Sequence, residues 1–111
     1  MYLTTEKGLA DFCDQLNSSP TLAIDTEFVR ERTYYHKLGL IQVSDGTHCA
    51  AIDPIYISNL EPFLNLVRNQ NTVKVFHAAR QDLEILHRLC DGVIQPVFDT
   101  QIAASVVGWG S

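Results

Sequence analysis

The sequence lacks several features that mark whole classes of protein. No apolar run in its 111 residues approaches the ~20 residues that a membrane-spanning helix needs. Residues 1–12 also lack the continuous apolar core of a secretory signal peptide. The cysteines, Cys13, Cys49 and Cys90, are odd in number and widely spaced, and none lies in a C-x-x-C pair. We therefore expect buried free thiols in the cytoplasm, with neither a disulfide framework nor a zinc site.

Basic residues are also scarce. The chain has 8 Lys and Arg against 13 Asp and Glu, for a net charge of −5. Proteins that grip nucleic acid by electrostatics carry an excess of Lys and Arg, so this mode of binding is excluded, although nucleic acid held through metal ions is not. Hydrophobic residues make up 46% and charged residues 19%, which is typical of a single globular domain.

The first half of the chain predicts helices around an antiparallel meander. Apolar residues at i, i+3, i+4 and i+7 predict an amphipathic helix over residues 5–17. Strands are expected over residues 21–28, 39–44 and 47–53, and the Asp45-Gly46 pair predicts a hairpin turn between the last two. A second helix follows a capping-box pattern, Ser58-x-x-Glu61.

The second half alternates strand and helix. Residues 73–76 predict a strand, residues 79–90 a helix and residues 97–98 another strand. Asp99 is the expected N-cap of a helix through Ile102 and Val106. Such alternation favours parallel pairing, so the whole predicts an α/β domain with a mixed sheet flanked by helices.

Two acids occupy an unusual place in the first strand. Side chains alternate in a strand, so Asp25 and Glu27 share one face, roughly 6–7 Å apart at the backbone. The other face carries Leu22, Ile24, Thr26 and Phe28. Like charges this close repel, and a divalent cation would compensate them. An edge strand with a solvated acidic face explains the pair equally well.

A third acid interrupts a helical stripe. On a helical wheel, Asp82 falls in the middle of an apolar stripe formed by Ile85, Leu86, Leu89 and Cys90. A charge there is costly unless it is paired or metal-bound. The alternative is a half-buried Asp82 that caps a backbone N–H. Three acids in apolar settings together favour two-metal chemistry with Mg²⁺ or Mn²⁺.

Three segments resemble ribonuclease D. The first block comprises Asp25-Thr26-Glu27-Phe28-Val29-Arg30, Thr33-Tyr34-Tyr35 and Leu38-Gly39-Leu40-Ile41-Gln42-Val43. The second is Val75-Phe76-His77-Ala78-Ala79-Arg80-Gln81-Asp82-Leu83-Glu84, and the third is Phe98-Asp99-Thr100-Gln101-Ile102-Ala103-Ala104. The resemblance implies an RNase H-like fold and the DEDD group of 3′→5′ exonucleases, in which four carboxylates bind two divalent metal ions.

The resemblance also implies roles for residues. Asp25, Glu27 and Asp82 would be the first three carboxylates, both catalytic and metal-binding, while Thr26 and Phe28 would contact the terminal nucleotide. The implied substrates are RNA 3′ ends, chiefly transfer RNA precursors, from which the enzyme would release 5′-mononucleotides. His77 either contacts a substrate phosphate or is a histidine satisfied by backbone at a strand end.

One part of the family pattern is missing. No Tyr-x-x-x-Asp motif, which would supply the fourth carboxylate, occurs in the sequence. We therefore expect residues 1–111 to be the N-terminal part of an exonuclease domain, truncated before that motif and the helical HRDC domains. Such a fragment would be nearly inactive alone and would be able to self-associate through an exposed sheet edge. The alternatives are a non-catalytic nucleic-acid- or metal-binding module and a DNA-directed proofreading exonuclease.

Overall fold

The computed structural model describes residues 1–30, 36–77, 80–90 and 94–101. Within these ranges, helices and strands follow one another with short connections. In chain order they are β1 (Tyr2–Leu3), α1 (Glu6–Leu16), β2 (Thr21–Arg30), β3 (His36–Ser44), β4 (Cys49–Ile52), α2 (Glu61–Arg68), β5 (Val73–Phe76), α3 (Arg80–Leu89) and β6 (Val97–Asp99). None of the described helices has the length and apolar character needed to cross a membrane.

The strands form one mixed sheet in the order β1-β4-β3-β2-β5-β6. Strands β2, β3 and β4 pair antiparallel as a meander, and β5 and β6 then add in parallel beside β2. The predicted α/β class and mixed pairing are thus confirmed. The sequence reading missed β1, which pairs in parallel with β4, because two residues are too few to show an alternating pattern.

Strand β2 is internal. It is hydrogen-bonded to β3 on one side and to β5 on the other. The alternative reading of Asp25 and Glu27 as part of an edge strand is therefore wrong. Opposite them on β3 lie Gln42 and Leu40, and the register between β2 and β3 shifts immediately after Glu27. Such an irregularity bends a strand locally and changes the direction of the side chains beyond it.

The described helices all contribute to one hydrophobic core. Buried side chains of α1, α2 and α3 lie in the same cluster as Leu22 and Ile24 of β2. The side chains of Ala23, Asp25 and Glu27 on the alternate positions are exposed. In the part of the chain that the structure describes, the helices therefore cover one face of the sheet, and the acidic face of β2 lies outside this core.

The predicted first helix is confirmed, with its N-cap at Thr5. The Thr5 hydroxyl accepts a hydrogen bond of 3.0 Å from the backbone N–H of Gly8. The predicted apolar stripe is buried, and it consists of Leu9, Phe12, Cys13 and Leu16.

The predicted capping box is wrong. Ser58 donates instead to the Oε1 atom of Glu6, at 3.1 Å, and the N-cap residue of α2, Leu60, makes no side-chain hydrogen bond. The carboxylate of Glu61 does not reach back toward Ser58, since it pairs with Arg68 in the last turn of α2 at 2.5 Å. The pattern matched, but both side chains have other partners, Glu6 for Ser58 and Arg68 of the same helix for Glu61.

The Asp45-Gly46 signal does mark the predicted hairpin, although the loop is longer than a two-residue turn. Ser44 pairs with Cys49, so residues 45–48 form the loop and β4 begins at Cys49. The backbone N–H groups of His48 and Thr47 donate to Asp45, at 2.6 Å and 2.8 Å. Hydrogen bonds from His48 and Thr47 hold the pKa of Asp45 well below its usual range.

Lys74 is fully buried, which no local pattern in the sequence predicts. Its Nζ atom donates to the carbonyl oxygens of Asn69 and Gln95, at 2.6 Å and 2.8 Å. Burial lowers the pKa of the Lys74 ammonium group. Through these two hydrogen bonds the lysine links the loop after α2 to the segment that precedes β6.

Replacing Thr5 by Ala is expected to lower the free energy of unfolding by about 1 kcal/mol, because the first turn of α1 loses its side-chain acceptor. Urea denaturation followed by circular dichroism measures the change. Thr4→Ala, one residue outside the helix cap, is the matched control and should shift the midpoint much less. Equal losses for the two variants would contradict the assigned cap.

Candidate active site

Asp25 and Glu27 project from the exposed face of the internal strand β2. Their alternation with the buried Ile24 and Thr26 is the predicted one. The two carboxylates therefore lie side by side outside the core, on a strand that is fixed by hydrogen bonds on both sides. The hydrogen-bonded strand therefore holds the two carboxylates close together despite their mutual repulsion.

Asp82 lies in the first turn of α3 and is only 6% exposed. Leu86 and Cys90 follow it at one-turn intervals and are also buried, so the predicted burial of Asp82 within an apolar stripe is confirmed. Leu89 was predicted to share that stripe but is 42% exposed. The buried face of α3 is centred near Leu86, and Leu89 lies outside that face.

The Asp82 carboxylate accepts a hydrogen bond from Thr26. The Thr26 hydroxyl, on the buried face of β2, donates to the Oδ1 atom of Asp82. Asp82 was otherwise expected to cap a backbone N–H, but the partner that the structure gives it is a side-chain hydroxyl. Thr26 itself is 8% exposed, so its hydroxyl meets Asp82 on the core side of β2.

The electrostatics link Asp82 to two further acids. Burial raises the pKa of Asp82, and the Thr26 hydrogen bond opposes that rise. The charges of Asp25 and Asp99 raise the pKa further, which places both within electrostatic reach of Asp82. The Asp99 carboxylate accepts a hydrogen bond of 2.9 Å from the backbone N–H of Gln101, as expected of an N-cap. The rest of the helix predicted after Asp99 lies outside the described residues.

His77 follows β5 and is exposed. Its Nδ1 atom lies 2.8 Å from the Thr100 hydroxyl, which in turn donates to the backbone carbonyl of Phe76 at 3.3 Å. A hydroxyl has a single proton, so Thr100 accepts from Nδ1–H when it donates to Phe76. The partner of His77 is thus a side chain anchored to the backbone.

An open cavity of about 480 Å³ brings Asp25 and His77 together. The polar part of its lining comes from Asp25, Gln42, Ser44, His77 and Thr100. Glu27, Thr26 and Asp82 do not line it. The side chain of Phe28, predicted to contact a nucleotide, lies outside the described residues. The cavity is wide enough for a nucleotide-sized group beside Asp25.

The three predicted acids fit a divalent cation in their chemistry, because carboxylate oxygens are the donors that Mg²⁺ and Mn²⁺ prefer. They are not yet gathered into one coordination shell. Within residues 1–30, 36–77, 80–90 and 94–101, no three His, Cys, Asp or Glu side chains come close enough together to hold a metal ion. Asp25 and Glu27 project from one face of β2, while Asp82 is bonded to a hydroxyl on the other.

Comparison with known proteins assigns the chain to a family. A family model for 3′-5′ exonucleases matches residues 1–111. The chain belongs to the 3′-5′ exonuclease family. Its relatives include the ribonuclease D of Escherichia coli, 43% identical over 97% of this chain, and that of a Jannaschia species, 49% identical over 97% of this chain. The chain spans 30% and 29% of these relatives' own lengths.

Solved structures agree with the family. The crystal structure of Escherichia coli RNase D superposes with a TM-score of 0.90 at 42% identity, over 97% of this chain and 29% of that one. The catalytic core of RRP6 from Trypanosoma brucei gives a TM-score of 0.85 at 28% identity, over 94% of this chain and 29% of that one. The mixed sheet with helices is therefore the fold of these exonucleases.

Asp82→Asn is expected to stabilise the metal-free chain, by about 0.5–2 kcal/mol at pH 7, the range of common stabilising substitutions. Folding raises the pKa of this carboxyl above its ordinary value of 3.8, so the charged form costs stability. Below pH 3.8 the group is neutral in both states and the cost vanishes. The advantage of the variant should therefore grow as the pH rises from acidic to neutral.

Thermal denaturation with EDTA across this pH range measures the effect. Asp11→Asn, at an exposed position of α1, is the control and should show no comparable growth with pH. An Asp82→Asn variant that is less stable than the wild type at pH 7 would contradict the prediction that the charge of Asp82 lowers the free energy of unfolding.

Proposed function

We propose that this chain is part of a ribonuclease D-type exoribonuclease that hydrolyses RNA from the 3′ end and releases 5′-mononucleotides. The observation that supports the proposal best is the placement of three acids at one internal strand, with Asp25 and Glu27 on its exposed face and the buried Asp82 hydrogen-bonded to its Thr26. A structural role alone would favour an uncharged residue at Asp82. The family model that matches the chain, one of 3′-5′ exonucleases, supports the same activity.

Asp25, Glu27 and Asp82 would hold two divalent cations, Mg²⁺ or Mn²⁺. These ions would activate water and stabilise the leaving oxygen of a phosphodiester. The protein's own contribution is placement: β2 fixes two carboxylates, and α3 brings the third to the same strand. The cations would also supply the positive charge toward phosphate that a chain of net charge −5 lacks.

RNA is the substrate class that the relatives favour. The Escherichia coli relative is described as an exoribonuclease involved in structured RNA processing, and transfer RNA precursors are the substrates we propose here. Localisation in the cytoplasm, where such RNA is processed, stays a prediction. A DNA-directed activity is the alternative, and degradation of matched RNA and DNA 3′ ends distinguishes the two.

We further propose that His77 binds the terminal nucleotide in the cavity beside Asp25. Nδ1 is already hydrogen-bonded to Thr100, so Nε2 is the ring nitrogen that would contact the nucleotide. Thr100 holds the ring orientation, since its hydroxyl is anchored to the carbonyl of Phe76.

A fourth carboxylate and a water-orienting tyrosine are not supplied by any Tyr-x-x-x-Asp motif in this sequence. We propose that these 111 residues form the N-terminal part of the exonuclease domain and are nearly inactive by themselves. Self-association through an exposed sheet edge stays a prediction that light scattering tests.

Asp25→Asn and Asp82→Asn are each expected to reduce exonuclease activity of the full-length protein by about 100-fold or more, because each removes a ligand charge that two-metal hydrolysis requires. Release of mononucleotides from a 3′-labelled RNA measures it. EDTA should abolish the wild-type activity, and Mg²⁺ or Mn²⁺ should restore it.

Asp11→Asn, exposed on α1, is the matched control and should retain wild-type activity. If Asp25→Asn and Asp82→Asn both remain active while folded, the assignment of these carboxylates fails.

His77→Ala is expected to raise the KM for RNA by about 2–10-fold with little change in kcat, the effect of one lost hydrogen bond of about 0.5–1.5 kcal/mol. Steady-state kinetics on a short RNA measures both constants. His87→Ala, at an exposed position of α3, is the control. An unchanged KM would place the His77 ring outside the nucleotide site.

A further inference from the structure

Among the described residues, Thr26 carries a hydroxyl that is hydrogen-bonded to an acid of the proposed site. It lies on the core side of β2, 8% exposed, and donates to the Oδ1 atom of Asp82, which is 56 residues further along the chain and 6% exposed. Family resemblance predicted that Thr26 contacts the terminal nucleotide. That contact stays a prediction; the Thr26 side chain is buried and does not line the cavity beside Asp25.

We infer that the Thr26 hydroxyl positions the Asp82 carboxylate toward a divalent cation, so that Thr26 is a positioning residue. This inference rests on the proposed function.

The strand makes the donor rigid. Threonine is β-branched and restricted at χ1, and β2 is hydrogen-bonded on both sides. The hydroxyl is therefore fixed relative to Asp25 and Glu27, which the same strand carries on its other face. A carboxylate offers two oxygens, so the bond to Oδ1 orients the group while Oδ2 stays available to a cation.

The chain supplies a matched control for the loss of a buried hydroxyl. Thr72 is 1% exposed and donates through its hydroxyl to the backbone carbonyl of Ser19 at 2.9 Å. Thr26→Val and Thr72→Val make the same chemical change in two buried threonines. Only the first removes a bond to an acid of the proposed site.

The experiment is calorimetric titration of Mn²⁺ into the full-length protein, with unfolding temperature measured in parallel. We expect Thr26→Val to weaken Mn²⁺ binding by about 10–100-fold, the usual effect of removing a hydrogen bond that orients a metal ligand. Thr26→Ser keeps the hydroxyl and should bind within about threefold of wild type, since the bond is retained. Thr72→Val should lose stability without losing affinity for Mn²⁺.

Asp25→Asn separates the two levels of the proposal. If it leaves Mn²⁺ binding intact, the proposed metal site itself is wrong. If it weakens binding while Thr26→Val binds as well as or better than wild type, only the positioning role of Thr26 is overturned. Should Thr26→Val not fold, Thr26→Ala removes the hydroxyl without branching at Cβ, and the same loss of affinity is expected from it.

Discussion

The fixed alternation of strand β2 is the constraint on which the site depends. Because β2 is hydrogen-bonded to β3 and β5, it cannot rotate to present Asp25 and Glu27 differently. From Thr21 to Glu27, its even-numbered positions are buried in the core and its odd-numbered positions are exposed. Two carboxylates are thereby held on one face, and any third acid must come from another element at the end of the strand.

Parallel pairing decides which element that is. β5 runs parallel to β2 with Ala23 opposite Val75, so continuing two residues along each strand brings His77 level with Asp25 on the same face. The chain then enters α3 at the carboxyl ends of the parallel strands, where α/β folds usually place their sites. This explains why His77 and Asp25 share a cavity and why the first turn of α3 reaches β2.

The sequence predicted those features that a local period controls. The alternation in β2, the stripe of α1 and the burial of Asp82 all follow from spacing along one element. Features that depend on partners outside one element were missed: Ser58 bonds to Glu6 and not within a capping box, and the buried Lys74 donates to the carbonyls of Asn69 and Gln95, which lie in two different loops. The Thr26–Asp82 bond belongs to this second kind, since it joins residues 56 positions apart.

The energetic cost of a charged Asp82 is also evidence about function. Burial and neighbouring charges both raise the pKa of Asp82, so its ionised form opposes folding. An asparagine would accept the same Thr26 hydrogen bond without that cost, and a stable core alone would favour it. A charge kept at such a position is best explained by a reaction that needs it. Under the proposed function, divalent cations would supply the compensating positive charge in a chain of net charge −5.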